Sequence, residues 1–342
     1  MQKEWQAEWV AAGGVAEGLA VTNYGDPRAE LAAAATGTIW AALTHIGIIR
    51  VTGADAATFL QGQLSNDVLA LGDTSRLAAY CTAQGRMIAL FRVLRQGDDF
   101  LLLLPAEIQA AVQKRLTLYV LRAKVGIGEV TELGVLGVSG PGRTDALTAA
   151  GLPAPTDPAI GQADDVTVVA IPGVNPRALL LGPPARLRQI APQLTGAVRV
   201  GSDAWAWLDI QAGLPTIGPA TTEAFVPQMA NLDLLQGIHF RKGCYPGQEI
   251  VARTHYLGRL KQRMYLASLP AGADRPVPGD SLTAPNFPGQ AAGTIVDAQR
   301  GPDGGIDLLA VIQISSREQG AVFWKDIPLV FRDLPYPLAA NC

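Results

Sequence analysis

The sequence predicts an α+β protein, and two patterns along the chain support this. Up to about residue 260, segments with strand-like and helix-like apolar spacing alternate, and a similar order of elements returns once. After residue 260, short apolar runs are separated by turns rich in glycine and proline, which is typical of a small barrel or sandwich. Because 342 residues exceed the usual size of one core, two or three domains are expected.

The elements predicted over residues 48–122, here called the first series, follow from the spacing of their apolar residues. Apolar side chains repeat at helical spacing after Gly53-Ala54-Asp55 and again from residue 106, and Gln84-Gly85 between two strand-like runs is a hairpin signal. The predicted order is a strand at 48–52, a helix after residue 55, strands at 77–82 and 87–94, a strand at 100–104 and a helix at 106–122.

The second series resembles the first in order but hardly in residue identity. It has a strand at 135–139, a helix at 144–150, strands at 166–171 and 178–181, and a helix at 185–194. The pattern alone therefore predicts a duplicated β/α unit, without a fixed repeat period. The short strands of the last region fall near 264–266, 293–296, 308–314 and 328–331.

Composition excludes several classes of protein. Charged residues make up 17% of the chain and hydrophobic residues 49%, which is typical of a packed protein and not of a disordered one. A net charge of -3 argues against stable direct binding to nucleic acid or to an anionic membrane. The start of the chain carries Glu4, Glu8 and Glu17 and does not have the pattern of a secretory signal.

Cysteine usage indicates a reducing compartment. Cys81, Cys244 and Cys342 are too few and too scattered for a disulfide framework, and no pair has the Cys-x-x-Cys spacing of a metal site. A cytoplasmic protein is therefore expected.

Residues 241–254 form the most informative segment of the chain. Cys244 lies among the basic residues Arg241, Lys242 and Arg253, and cations near a cysteine favour the thiolate, which attacks electrophiles and binds soft metals. Gly243 and Gly247 permit backbone conformations or close approaches that a side chain forbids. The alternative is an unreactive cysteine buried in a turn.

The nearby histidines leave the chemistry of Cys244 open. His255 would be a base for a cysteine nucleophile, or a hydrogen-bonded surface residue. One cysteine with His239 and His255 falls short of the ligand set of structural zinc, so no metal site is predicted.

Several segments resemble one known family. Residues 242–249, Lys-Gly-Cys-Tyr-Pro-Gly-Gln-Glu, resemble the signature of the YgfZ family, which are folate-binding relatives of the glycine-cleavage T-protein. Similar segments occur at 53–67, 213–215, 225–232 and 250–254, and the resemblance spans roughly residues 40 to 332.

The resemblance implies a domain organisation. It implies a folate-binding region over 1–260, with mixed sheets in two interleaved β/α subdomains, approximately 1–125 with 200–260, and 126–199. A β-barrel over 261–335 and a tail over 336–342 would follow.

The resemblance also implies a function. It points to a protein that binds tetrahydrofolate or a one-carbon derivative and supports the assembly or repair of iron-sulfur enzymes, including tRNA-methylthiolating proteins. Cys244 and Lys242 would be its catalytic residues. A folate-dependent one-carbon transferase of the aminomethyltransferase type is the alternative, and a module that only binds folate is a third possibility.

The resemblance suggests folate contacts on the motif helix. Gln248 and Glu249 would pair with the donors and acceptors of a pterin, or would brace the loop that carries Cys244. Arg253, with Arg259 and Lys261, would attract the anionic glutamyl tail, unless these residues are only a solvated charged run.

Two departures from the T-protein pattern bear on catalysis. Ala89 and Leu90 stand where that protein has a pair of aspartates, one of which is required for aminomethyl transfer. The segment with Gln228 stands where the T-protein has a pterin-binding glutamate, so Glu223 or Gln228 would have to substitute. Aminomethyl transfer is therefore not expected. Asn66 is a further candidate for a folate contact.

Overall fold

The computed structural model describes residues 2–256, 258 and 260–338. Arg259, Cys342 and the rest of the predicted tail after residue 338 lie outside the described residues. The α-helices are α1 (Gln2–Ala11), α2 (Pro27–Thr36), α3 (Ala56–Gln61), α4 (Ala106–Thr117), α5 (Arg143–Ala149), α6 (Pro184–Ile190), α7 (Ser202–Gln211), α8 (Gln248–Tyr256) and α9 (Ile314–Gln319). Short 3₁₀ helices lie at Ala191–Gln193 and Pro227–Ala230.

The strands of the first two thirds of the chain are β1 (Val15–Glu17), β2 (Ala20–Asn23), β3 (Ile39–Ala42), β4 (Ile46–Thr52), β5 (Ser75–Cys81), β6 (Met87–Gln96), β7 (Asp99–Pro105), β8 (Gly126–Glu129), β9 (Gly134–Ser139), β10 (Ile160–Ala163), β11 (Val166–Ile171), β12 (Arg177–Gly182) and β13 (Val198–Val200). Those of the last third are β14 (Gln262–Leu269), β15 (Ser281–Leu282), β16 (Gly293–Arg300), β17 (Ile306–Gln313), β18 (Phe323–Trp324), β19 (Ile327–Pro328) and β20 (Val330–Arg332).

The chain divides into two compact units, each built from several segments. Unit 1 comprises Met1–Ala57, Leu69–Arg76 and Arg92–Leu208. Unit 2 comprises Thr58–Val68, Leu77–Phe91 and Asp209–Cys342. Both the octapeptide and the segment around Asn66 belong to unit 2.

Unit 1 contains a mixed six-stranded sheet. Its order is β10-β11-β12-β9-β3-β13, antiparallel except for the parallel pair β13–β3. Along β11, Val166 and Val168 belong to one apolar cluster, whereas Val169 and Ile171 belong to another. Because side chains alternate between the faces of a strand, both faces of this sheet are covered, which explains its continuous apolar runs.

Unit 2 contains the five-stranded sheet β15-β16-β17-β14-β20. The expected short strands after residue 260 are thus confirmed. Along β17, Leu309 and Val311 lie in one apolar cluster, and Leu308 and Ala310 lie in a second. Among the described residues the strand order is linear, and the closed barrel stays a prediction.

The observed architecture confirms the α+β class with mixed sheet pairing. The hairpin expected around Gln84-Gly85 is present, since β5 and β6 are neighbours and the Thr82 amide donates to the carbonyl of Arg86 at 2.8 Å. No helix within the described ranges has both the length and the apolar character needed to cross a membrane.

Candidate functional site around Cys244

The segment over 61–68, which begins at the last residue of helix α3, curls back on itself. The side chain of Gln61 closes this curl, because its Oε1 accepts a hydrogen bond from the Val68 amide at 2.8 Å. Its Nε2 donates to the carboxylate of Asp67 at 3.1 Å. Several backbone carbonyls within the segment are therefore held in a defined arrangement.

Ser65 joins this segment to two other parts of unit 2. It is fully buried, and its hydroxyl donates to the carbonyl of Gly237 at 2.6 Å and accepts from the Ala79 amide at 2.8 Å. Its own carbonyl accepts from the His239 amide at 2.9 Å. Sequence reasoning did not identify Ser65, because these partners lie far away along the chain.

Asn66, a predicted folate contact, is buried and engaged with backbone groups. Its Nδ2 donates to the carbonyls of Leu77 at 2.8 Å and Gln236 at 2.6 Å. Its Oδ1 accepts from the amide of Asp67 at 2.9 Å. Both donor protons and one acceptor position of the amide are thus used to brace the 61–68 segment.

Lys242 lies against the same segment and is 9% exposed. Its Nζ donates to the carbonyl oxygens of Gln61 and Leu64, both at 2.5 Å, and to that of Asn66 at 3.0 Å. Nζ also lies over the Tyr245 ring, 5.2 Å from its centroid. Burial lowers the pKa of Lys242 to about 8, against the opposing effect of the Asp67 carboxylate.

The two described cysteines have opposite environments. Cys244 is a free, exposed thiol, whereas Cys81 is buried in β5. Burial raises the pKa of the Cys81 thiol to about 12. Next to Cys244, Tyr245 points into the protein, and burial raises its pKa well above the usual range. The loop therefore exposes Cys244 to solvent, while the buried side chains of Lys242 and Tyr245 hold the loop in place.

The turn into helix α8 depends on Gly247. Its φ is +81°, and a Cβ atom there would lie 2.5 Å from both the carbonyl oxygen of Thr82 and the Cα of Gly85. Gly243, by contrast, has open space around it. The side chain of Gln248 reaches back from the first turn of α8, and its Nε2 lies 3.4 Å from the carbonyl of Lys242. This contact is the loop-bracing role predicted as one alternative for Gln248.

Gln228 connects a 3₁₀ helix to α8. It is 3% exposed, and its Nε2 donates to the carbonyl of Val251 at 2.6 Å. Its Oε1 is buried and has no hydrogen-bond partner among the residues that the structure describes. Its own carbonyl accepts from Arg263 at 3.0 Å, and Arg263 forms a two-pronged ion pair with Asp233 at 2.7 and 3.0 Å.

The remaining predicted contacts are exposed. Glu249 and Arg253 lie in the first and last turns of α8. Glu223 has a φ of +58°, and its amide donates to the carbonyl of Met87 at 2.7 Å, so it lies beside strand β6. His255 stacks on Phe240 with ring centroids 3.8 Å apart.

The two positions that depart from the T-protein pattern are apolar and buried. Ala89 is fully buried and Leu90 is 8% exposed, and Leu90 belongs to an apolar cluster of unit 2. Across the described ranges, no three His, Cys, Asp or Glu side chains gather as a metal site requires.

Two cavities of unit 2 are formed by residues after 260. One, of about 580 Å³, lies between the loop after β15 and the β18–β19 hairpin. The other, of about 470 Å³, lies beside α9 and the segment after β20. Neither is lined by the octapeptide, and the folate cavity expected before residue 260 stays a prediction.

The chain is similar in sequence to proteins that share one name, although no protein-family model matches it. It is 35% identical over 271 residues to the tRNA-modifying protein YgfZ of Edwardsiella ictaluri, an alignment that covers 77% of this chain and 81% of the relative. It is 31% identical over 306 residues to the protein of that name from Cronobacter sakazakii, with coverage of 87% and 91%.

A solved structure shares the fold. The glycine cleavage system aminomethyltransferase T from Bartonella henselae superposes with a TM-score of 0.79, covers 96% of each chain and is 19% identical. At this identity the likeness establishes the fold and leaves the activity open.

Proposed function

This chain belongs to the YgfZ family, and from that membership we propose that it is a tetrahydrofolate-binding accessory protein that supports tRNA modification through iron-sulfur enzymes, with Cys244 as its reactive residue. The relatives are named tRNA-modifying proteins, and this name supports a role in tRNA modification. The aminomethyltransferase-type fold supports a folate ligand.

The observation that carries the proposal is the presentation of Cys244. The thiol is free and exposed, while the residues beside it are engaged: Lys242 with three carbonyls and Tyr245 in the interior. An exposed thiol on a braced loop is accessible to an electrophile or to the soft metal of a cluster. A cysteine that served packing alone would be buried, as Cys81 is.

The residues present offer groups that fit a pterin. The amide and amidine edge of a pterin donates N–H groups, and the buried Oε1 of Gln228 is an acceptor that no described residue occupies. We assign Gln228, with Gln248 and Glu249, to the pterin, with Glu223 as the substitute carboxylate. Arg253 would pair with the anionic tail. When bound, the folate supplies or accepts a one-carbon unit.

Asn66 and Lys242 are assigned a structural role in this proposal and not a contact with folate. The amide protons of Asn66 and the ammonium protons of Lys242 are already donated to backbone carbonyls. We therefore assign to both residues the role of holding the loop and its surroundings in place, next to the reactive thiol.

A one-carbon transferase of the aminomethyltransferase type is the weaker candidate. Its catalytic carboxylate would lie on the β5–β6 hairpin, where this chain has the buried apolar residues Ala89 and Leu90. Neither side chain exchanges protons, so the fold likeness alone supports this activity.

A calorimetric titration with tetrahydrofolate tests the proposal. We expect saturable binding to the wild type and to Cys244→Ala, because the thiol is assigned to chemistry and not to binding. Binding should weaken at least about tenfold in Gln228→Ala, which removes the unpaired acceptor. Lack of tetrahydrofolate binding by folded wild-type protein would overturn the folate part of the proposal.

A further inference from the structure

The contacts of Lys242 account for all three N–H protons of its ammonium group. An ammonium group carries three N–H donors, and three carbonyl oxygens lie 2.5, 2.5 and 3.0 Å from Nζ. These oxygens, of Gln61, Leu64 and Asn66, are here termed the three-carbonyl site. All three come from one stretch of six residues, 61–66, whereas Lys242 comes from the loop that carries Cys244.

We propose that Lys242 is a positioning residue and that the three-carbonyl site is a binding site for a primary ammonium group, through which the Cys244 loop is fixed on the 61–68 segment. A primary ammonium directs its three donors into a cone that matches three converging carbonyls. The planar guanidinium of arginine does not match this arrangement, and methionine offers no donor at all.

The three-carbonyl site is held by bonds that do not involve Lys242. The side chain of Gln61 binds the Val68 amide and Asp67, and Asn66 binds the carbonyls of Leu77 and Gln236. We therefore expect the oxygens to keep their arrangement when the lysine side chain is shortened. Lys242→Ala would leave a buried, oxygen-lined space with the shape of the atoms removed, which are those of n-propylammonium.

Hydrogen exchange followed by mass spectrometry tests this inference. The 61–68 segment contains hydrogen-bonded amides, including those of Ser65, Asp67 and Val68. In Lys242→Ala we expect these amides, and that of Gln248, which donates to the Tyr245 carbonyl at the end of the 241–247 loop, to exchange at least about tenfold faster, since the loop and the segment lose their shared contact. Millimolar n-propylammonium should restore protection, and tetramethylammonium, which has no N–H donor, should not.

Two further variants separate the site from a general loss of stability. Lys242→Met should also lose protection, but n-propylammonium should not restore it, because the methionine side chain occupies the space. Lys114→Ala, which removes an exposed lysine of α4, should exchange like the wild type in both segments. If Lys242→Ala does not fold, Lys242→Met still tests the positioning role.

Two results would overturn the inference. One is wild-type exchange of both segments in a folded Lys242→Ala or Lys242→Met protein. The other is equal restoration of Lys242→Ala by tetramethylammonium and n-propylammonium, which would show a salt effect. The importance of the loop for function rests on the proposed role of Cys244, but the exchange experiment reads the loop directly and is independent of folate or tRNA modification.

Discussion

Gly247 approaches Gly85 so closely that a Cβ atom on Gly247 would lie 2.5 Å from the Cα atom of Gly85. The left-handed φ of +81° at Gly247 is a second reason why other residues are disfavoured there. Helix α8 begins at the next residue, so the contact between these two glycines sets the point at which the Cys244 loop turns into α8.

Gly247→Ala should lower the free energy of unfolding by about 2–4 kcal/mol, since both the backbone conformation and the crowding oppose a side chain. Gly243→Ala is the matched control in the same motif, because a Cβ atom there meets no heavy atom of the described residues within 4 Å. Its effect should stay within about 0.5 kcal/mol. Urea denaturation measures both, and equal losses in the two variants would contradict the assigned role of Gly247.

The two described cysteines should differ in reactivity. Cys244 is exposed, whereas Cys81 is 2% exposed and has a pKa raised to about 12. Iodoacetamide at pH 8 should therefore alkylate Cys244 at least about 100-fold faster than Cys81 in the native protein. Peptide mass analysis separates these two products from that of Cys342, and similar rates at Cys81 and Cys244 would refute this prediction.

Lys242 should make stability depend on pH in the alkaline range. Burial lowers its pKa from 10.5 to about 8, so between these values the unfolded chain binds more protons than the folded protein, and stability rises with pH. Below pH 8 the free-energy cost of burying the charged ammonium lowers the stability of the folded protein in full. This cost decreases as the pH rises from 8 to 10.5. The free energy of unfolding of the wild type minus that of Lys242→Met should therefore rise by up to about 3 kcal/mol over this range. A constant difference from pH 7 to 10.5 would contradict the assignment.

Gln228→Glu should destabilise the protein at pH 7 by about 2–4 kcal/mol, because a buried carboxylate would face the Val251 carbonyl that the amide now binds. Burial would raise the pKa of this glutamate above its unfolded value, so the loss should shrink as the pH falls and the acid becomes protonated. Denaturation at pH 5 and pH 7 measures the change, with Gln228→Met as the uncharged control. A loss that does not depend on pH would show that charge is not its cause.

The fold was predictable where local pattern is strong. Strand β11 was expected over 166–171 and occupies those residues, because both of its faces are buried and every side chain is apolar or small. Helix α4 was expected to reach residue 122 but ends at Thr117, since Leu118 is exposed and Leu121 adopts a φ of +46°. The alanine-rich helix α2 was not predicted, because a run of alanines has no apolar period to distinguish its faces.

The site was predictable as a set of motifs but not as a set of contacts. The resemblance to the YgfZ family is confirmed. It identified the octapeptide and the segment around Asn66 as candidate parts of the site. The hydrogen bonds from Lys242 end on three backbone carbonyls. Every residue has a backbone carbonyl, so no residue type in the sequence indicates these bonds. Ser65 was missed for the same reason, and the crowded glycine could not be identified as Gly247 rather than Gly243 without the packing of Gly85.

The most direct test of the central claim is the level of methylthiolated nucleosides in tRNA from a strain that lacks this gene and carries variants at matched protein levels. Our proposal predicts that wild-type protein and Cys81→Ala restore the modification, whereas Cys244→Ala does not, although it folds and binds tetrahydrofolate. Full restoration by Cys244→Ala would contradict the claim that this exposed thiol is the reactive group.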